Sequence, residues 1–132
     1  MNAEKPVGLT KNQGWEIGVR RTLPLGEAKA WRMIMHALGL SSGEGPDEPN
    51  HEVGATFTTA DDVHVEIRSC APSSLIRMKW QPGNWQVSST LQIRVLPAKK
   101  GSTIAVHHEG LQNAQQREAM RQHWTALLES LA

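Results

Sequence analysis

From Trp15 the chain alternates. Trp15, Ile17 and Val19 face one way and Glu16, Gly18 and Arg20 the other, the period-two pattern of a half-buried strand. It stops at TLPLGE, where Pro24 has no N–H to give a ladder. From Gly26 the apolar spacing lengthens to three and four, through Ala28, Trp31, Ile34, Met35 and Leu38. That spacing predicts an amphipathic helix of about three turns, closed by Gly39 as its C-cap. Residues 40–52, LSSGEGPDEPNHE, read as a loop. EVGATFTT then reads as a weak strand, and an ADD turn leads to a strong one, VHVEIRSC, in which Val63, Val65 and Ile67 oppose His64, Glu66 and Arg68.

Three more alternating segments follow. Ile76, Met78 and Trp80 oppose Arg77 and Lys79; Leu91, Ile93 and Val95 oppose Gln92 and Arg94; Ile104, Val106 and His108 oppose Ala105 and His107. Short turns (APSS, QPGNW and PAKKGS) join them, so the pattern is an antiparallel meander with one wet face. After Gly110 the helical period returns and places Met120, Trp124, Leu127, Leu128 and Leu131 on one stripe. The order is strand, helix, long meander, long C-terminal helix: an α+β fold in which the sheet's apolar face and the helix's stripe must bury against each other. If the sheet curls around the helix, a cavity lies between them.

The chain has 132 residues, enough for one domain and one core. Residues 1–14 show no apolar periodicity and are expected to be a flexible lead-in, with a single domain over 15–132. Fourteen Lys and Arg oppose thirteen Asp and Glu, which argues against a nucleic-acid partner held by a basic surface. No apolar run is long enough for a membrane span, and the N-terminus has no apolar segment of a secretory signal. With one cysteine, Cys70, no internal disulfide can form, and the expected setting is the reducing cytoplasm.

GWEIGVRRTLP followed by a helix containing AKAW resembles the start of the START-like (SRPBCC, helix-grip) superfamily. SSLIRMKWQPGNW, STLQIRVLP, GSTIAVHHEGL and REAMRQHWTALLESL, in that order, resemble its AHSA-type branch, named for activators of the heat-shock-protein-ninety ATPase. The resemblance runs from about residue 14 to the end, and its most specific parts are Trp80 to Gly83, His108 to Gly110, and Trp124. It implies a curved antiparallel sheet gripping the C-terminal helix, one further helix after the first strand, and a cavity under the last helix. Residues 36–52 lack the Trp-rich stretch that many relatives carry there.

The chemistry is sparse. Adjacent strand residues such as His107 and His108 point to opposite faces, and no HExxH, CxxC or His-x-x-x-His spacing occurs, so neither a metal nor a cofactor is expected. Cys70 shares the phase of His64, Glu66 and Arg68 on the outer face and reads as a buried or surface-edge thiol; Glu109 reads as solvated. No Gly-x-Ser-x-Gly elbow, phosphate-cradling loop or paired carboxylates appear, so positive evidence for catalysis is absent.

His108 faces inward and needs a hydrogen-bond partner or a buried water there: it caps a turn or bonds backbone, or it is a polar contact on a ligand cavity's wall, with general acid or base work as the remaining role. Trp31 and Trp124 sit on apolar stripes, Trp80 follows Met78 to the strand's end, and Trp85 is the ring most open to a ligand or partner. Traced back from Trp124, the last helix's face turns polar through Met120, Arg117, Gln116 and Asn113. That polar end is either a pocket mouth or an overhang in water.

The leading expectation is a binder of a small, largely hydrophobic molecule or lipid. Its contact residues are expected to be His108, Trp80, Met78, Trp85, Gln116, Arg117, Met120 and Trp124. A protein-interaction module, such as a chaperone cofactor or stress-related regulator, is the alternative. It would present Glu66, Arg68, Arg77, Lys79 and Arg94. An enzyme using the same cavity comes third.

Overall fold

A computed structural model describes residues 9–10, 14–40 and 52–131. The lead-in reading of residues 1–8 and 11–13 and the loop reading of 41–51 lie outside the described residues. The elements run β1 (Leu9–Thr10), β2 (Gly14–Leu23), α1 (Glu27–Ala37), β3 (Thr56–Thr58), β4 (Val63–Ala71), β5 (Leu75–Pro82), β6 (Ser89–Ala98), β7 (Gly101–Leu111) and α2 (Ala114–Ser130). All strands join one antiparallel sheet in the order β1-β2-β7-β6-β5-β4-β3. The meander from β3 to β7 is the one the alternation predicts. The first long strand then closes the far side by pairing with the last, Val19 opposite Val106 and Leu23 opposite Ser102.

Both helices cover one face. α1 buries Ala30, Trp31, Ile34 and Met35 over β6 and β7. It ends in a Schellman motif: Gly39 N–H donates to the His36 carbonyl and Leu40 N–H to that of Met35. Gly39 takes the left-handed φ of 77° that this cap requires. α2 runs chiefly along β2 and also meets β7, burying Trp124 and Leu128. Against them stand Val63, Val65, Ile67, Ile76, Met78, Leu91, Ile93, Val95, Ile104 and Val106, the inward set of the alternation. Glu66, Arg77, Lys79 and Arg94 take the opposite phase.

Three details depart from the sequence reading. Leu9–Thr10, inside the expected lead-in, pairs with Trp15 and Gly14. The weak strand EVGATFTT shrinks to Thr56–Thr58, since Gly54 adopts φ 91° and turns the chain before it. Cys70 faces the core instead of solvent. Ile67 stands opposite Met78 but Ser69 opposite Arg77, so Arg68 is an extra residue in a bulge, and everything beyond it changes face. Cys70 thereby falls opposite the buried Ile76 and packs against the core.

The β6–β7 turn is sterically closed. A Cβ at Gly101 would stand 1.9 Å from the Leu23 carbonyl oxygen, so an alanine there forces backbone apart where β2 and β7 meet. Gly101→Ala is expected to cost about 1–3 kcal/mol, the range for overpacking, and to lower the melting temperature by several degrees. Thermal unfolding followed by circular dichroism checks this; an unchanged midpoint contradicts the packing of that turn against β2.

Candidate functional site: an aromatic groove above a buried histidine

β7 brings His108 to the centre of the inner face, where it is fully buried. Its ring lies between Trp124 of α2 and Ser89 at the start of β6. Trp124 Nε1–H donates to Nδ1 at 2.9 Å, and Nε2 lies 2.7 Å from Ser89 Oγ. Ser89 Oγ in turn donates to the Trp80 carbonyl at 2.6 Å. An indole nitrogen only donates, so Nδ1 must accept, and the proton of the neutral ring sits on Nε2. Every link then has one donor and one acceptor, in a single direction from α2 to β5. Burial, reinforced by the nearby charges of His123 and His107, pushes the His108 pKa down to about 3.

Above this histidine three indoles converge. Trp80 meets His108 edge-on at 5.1 Å and 90°, Trp124 at 5.2 Å, and Trp85 at 5.6 Å and 81°. Trp85 leaves the sheet in the β5–β6 turn, where its N–H bonds the Pro82 carbonyl and its own carbonyl accepts from Gln81. Its ring lies nearly parallel to that of His108, 6.1 Å away. The indoles form part of the wall of a groove of about 560 Å³ that also takes in the end of α1, the turn between β3 and β4, and Met120, His123 and Leu127 of α2. Asp61, Asn84 and Thr59 supply polar lining. His123 stands edge-on to Trp124 at 4.5 Å; partial burial of its ring lowers its pKa, against the opposing charge of Asp61.

Of the residues expected to contact a ligand, Trp80, Trp85, Met120 and Trp124 line this groove. His108 lies beneath it with both ring nitrogens bonded, and Met78 is wholly inside the core. Gln116 and Arg117 are elsewhere. Asn113 caps α2 by accepting from the Gln116 N–H, and Gln116 Oε1 accepts from Gln112 N–H. Arg117 Nε donates to the Glu16 carbonyl of β2, tying the polar end of the helix to the sheet. Asp61, Asn84 and His123 escaped the sequence reading. Turn residues carry no period, and His123, next to Trp124 in sequence, lies off the apolar stripe.

The opposite face also rearranges one expectation. Glu109 is buried, not solvated, because it pairs across from Thr90 and its carboxylate meets Arg77 at 2.7 Å, with Arg77 also donating to Gln92. Glu16, His107 and Glu109 bring ligand atoms within 4.8 Å of one another there, the one such grouping among the described residues, and Arg77 already occupies Glu109. Glu66 and Arg68 pair with each other at 2.9 Å.

An open antiparallel sheet closed over a C-terminal helix, with a second helix after the first long strand, is the helix-grip fold. Solved structures share it at low identity. The Hsp90 activator PFC0360w of Plasmodium falciparum is 15% identical, with a TM-score of 0.68 over 86% of this chain and 89% of its own. Aha1 of Colwellia psychrerythraea, solved as a dimer, is 15% identical, with a TM-score of 0.65 over 88% and 92%. CalU16 of Micromonospora echinospora is 16% identical, with a TM-score of 0.70 over 91% and 76%. Residues 29–132 match the family described as activator of Hsp90 ATPase homolog 1-like protein, and the chain belongs to that family. Comparison with curated proteins finds no match. No helix among the described residues is long and apolar enough to cross a membrane.

The depressed pKa of His108 makes stability depend on acidity in a defined direction. Between about 3 and the ordinary histidine value of 6.5, the unfolded chain binds a proton at His108 that the folded chain refuses, so stability falls as the pH falls through that window. At about pH 4.5 the loss from this residue is roughly 2–3 kcal/mol. His108→Gln keeps one donor and one acceptor without titrating. Urea denaturation across the window should show a shallower acid limb for the variant, and parallel limbs would contradict the assignment.

Proposed function

We propose that this protein binds a small, largely hydrophobic molecule in the groove between α2, the end of α1 and the turns of the sheet. The observation that carries the reading is the convergence of Trp80, Trp85 and Trp124 on one concavity. The partly exposed Trp85 offers apolar contact at small cost in side-chain entropy, with the buried Trp80 and Trp124 behind it. Trp80 and Trp124 are buried, and the Trp124 indole is also bonded to His108, so that wall is preorganised and ligand binding does not need to order it. Trp85 is the partly exposed member. The reading keeps His108 as a support of the wall, and it moves the polar contacts from Gln116 and Arg117 to His123, Asn84 and Asp61.

A second reading, protein interaction, is supported by the family's description and by the activator from Plasmodium falciparum. On that reading the partner is a chaperone or another protein, met through the outer sheet face where Lys79 and Arg94 present charge. Catalysis in the groove is the third reading. The lone thiol of Cys70 suits a reducing cytoplasm as the setting for all three.

Titration with the neutral fluorophore N-phenyl-1-naphthylamine tests the first reading. Saturable binding is expected, with Trp85→Ala weakening it about tenfold. The melting temperature should move by no more than a few degrees, since Trp85 is only partly buried. Absence of saturable binding, or an affinity indifferent to Trp85, overturns the reading. Stimulation of a chaperone ATPase by the same preparation would favour the second.

A further inference from the structure

The lining of the groove carries charge unevenly. Its lining among the described residues contains no lysine or arginine; its carboxylate is Asp61, in the turn between β3 and β4. The neighbouring Asp62 adds a second negative charge close by. Its carboxylate lies against Gly83 in the adjoining β5–β6 turn, where a Cβ would stand 2.0 Å from it, and Gly83 N–H bonds the Asp62 carbonyl. Nearby cations are engaged elsewhere. Arg121 of α2 pairs with Glu118, and Arg77 pairs with Glu109 on the far face of the sheet. His123 is the remaining basic group at the rim, and burial holds its pKa below the ordinary value, so at neutral pH it does not cancel Asp61.

We propose that the groove selects a cationic apolar ligand, an aromatic or alkyl ammonium, over neutral and anionic molecules of the same shape. This rests on the groove-binding reading above and names its substrate class. Two features on one concavity carry the inference. Trp85, the partly exposed indole of the groove, has an electron-rich face that attracts a cation that has shed part of its water and repels an anion. Asp61 supplies the counter-charge at the rim, where an ammonium on the end of a buried ring or chain can meet both. A fatty acid or phosphate ester would bring its negative head to a carboxylate with no described cationic lining residue to receive it.

The test uses three probes of one shape: naphthylmethylamine, protonated at neutral pH, naphthylmethanol and naphthoate. Isothermal titration calorimetry at low salt on the full chain should give the order amine, alcohol, carboxylate. The amine should bind at least about fivefold tighter than the alcohol. Asp61→Asn, at an exposed turn position, should bring the amine's affinity close to the alcohol's, with circular dichroism confirming the fold. Carboxylate binding equal to or tighter than amine binding, or a preference for the amine that survives Asp61→Asn, overturns charge selection while the groove reading stands. If none of the three binds, the groove reading itself has failed.

Discussion

The hydrogen-bonded chain from Trp124 through His108 and Ser89 to the Trp80 carbonyl holds the rest of the structure in place. It has one possible direction, because an indole cannot accept and a carbonyl cannot donate. The middle of the chain is therefore confined to one tautomer of a neutral imidazole, and the four residues it joins lie on α2, β7, β6 and β5. A helix resting on an apolar sheet face could slide or rotate at small cost. This one cannot do so without leaving a buried donor or acceptor unpaired, a loss of about 1–3 kcal/mol for each group. The buried side-chain polar atoms described all have partners, so the chain is complete.

The groove follows from that constraint. The Trp124 ring and the Trp80 backbone are held by the same network, and the Trp80 ring packs against both Trp124 and Trp85. At its two ends α2 is fastened by polar contacts from β2. Arg117 reaches the Glu16 carbonyl, and Arg21, inward by strand phase, donates to the Leu128 carbonyl at 2.7 Å near the helix's C-terminus. The latter places a cation where the helix leaves carbonyls without intrahelical partners and where its dipole is negative. Charges thus serve at the ends of the helix and on the outer face, and its middle lies against aromatic surface. Family membership defines this scaffold and does not by itself fix a function.

Much of the fold was legible in the order of residues. Wherever one face is buried and the other wet, the pleat writes a period of two and the helix a period near three and a half, and both are plain at Val63–Ile67 and from Met120 to Leu131. Gly39 as the end of α1 was readable for a similar local reason, since only a residue tolerant of a left-handed φ closes that motif. Within the site, Trp80, Trp85, Met120 and Trp124 could be named because each is large, apolar and placed by phase or by a turn.

What the tertiary structure alone decided is where those locally determined pieces meet. The bulge at Arg68 turned Cys70 inward, because one extra residue resets the phase of everything after it and leaves no trace in composition. Pairing of β2 with β7 extended the sheet beyond its last strand, and a contact between residues nearly ninety apart has no local signal. Glu109 became buried only because Arg77, from a strand two places away in the sheet, came to lie over it. The groove's carboxylate and imidazole, Asp61 and His123, come from a turn and from a helix flank that converge only after folding. The inward direction of His108 was written in the strand's alternation. That it would face a helix indole on one side and a strand hydroxyl on the other, and so be fixed as a neutral donor and acceptor, was settled by packing alone.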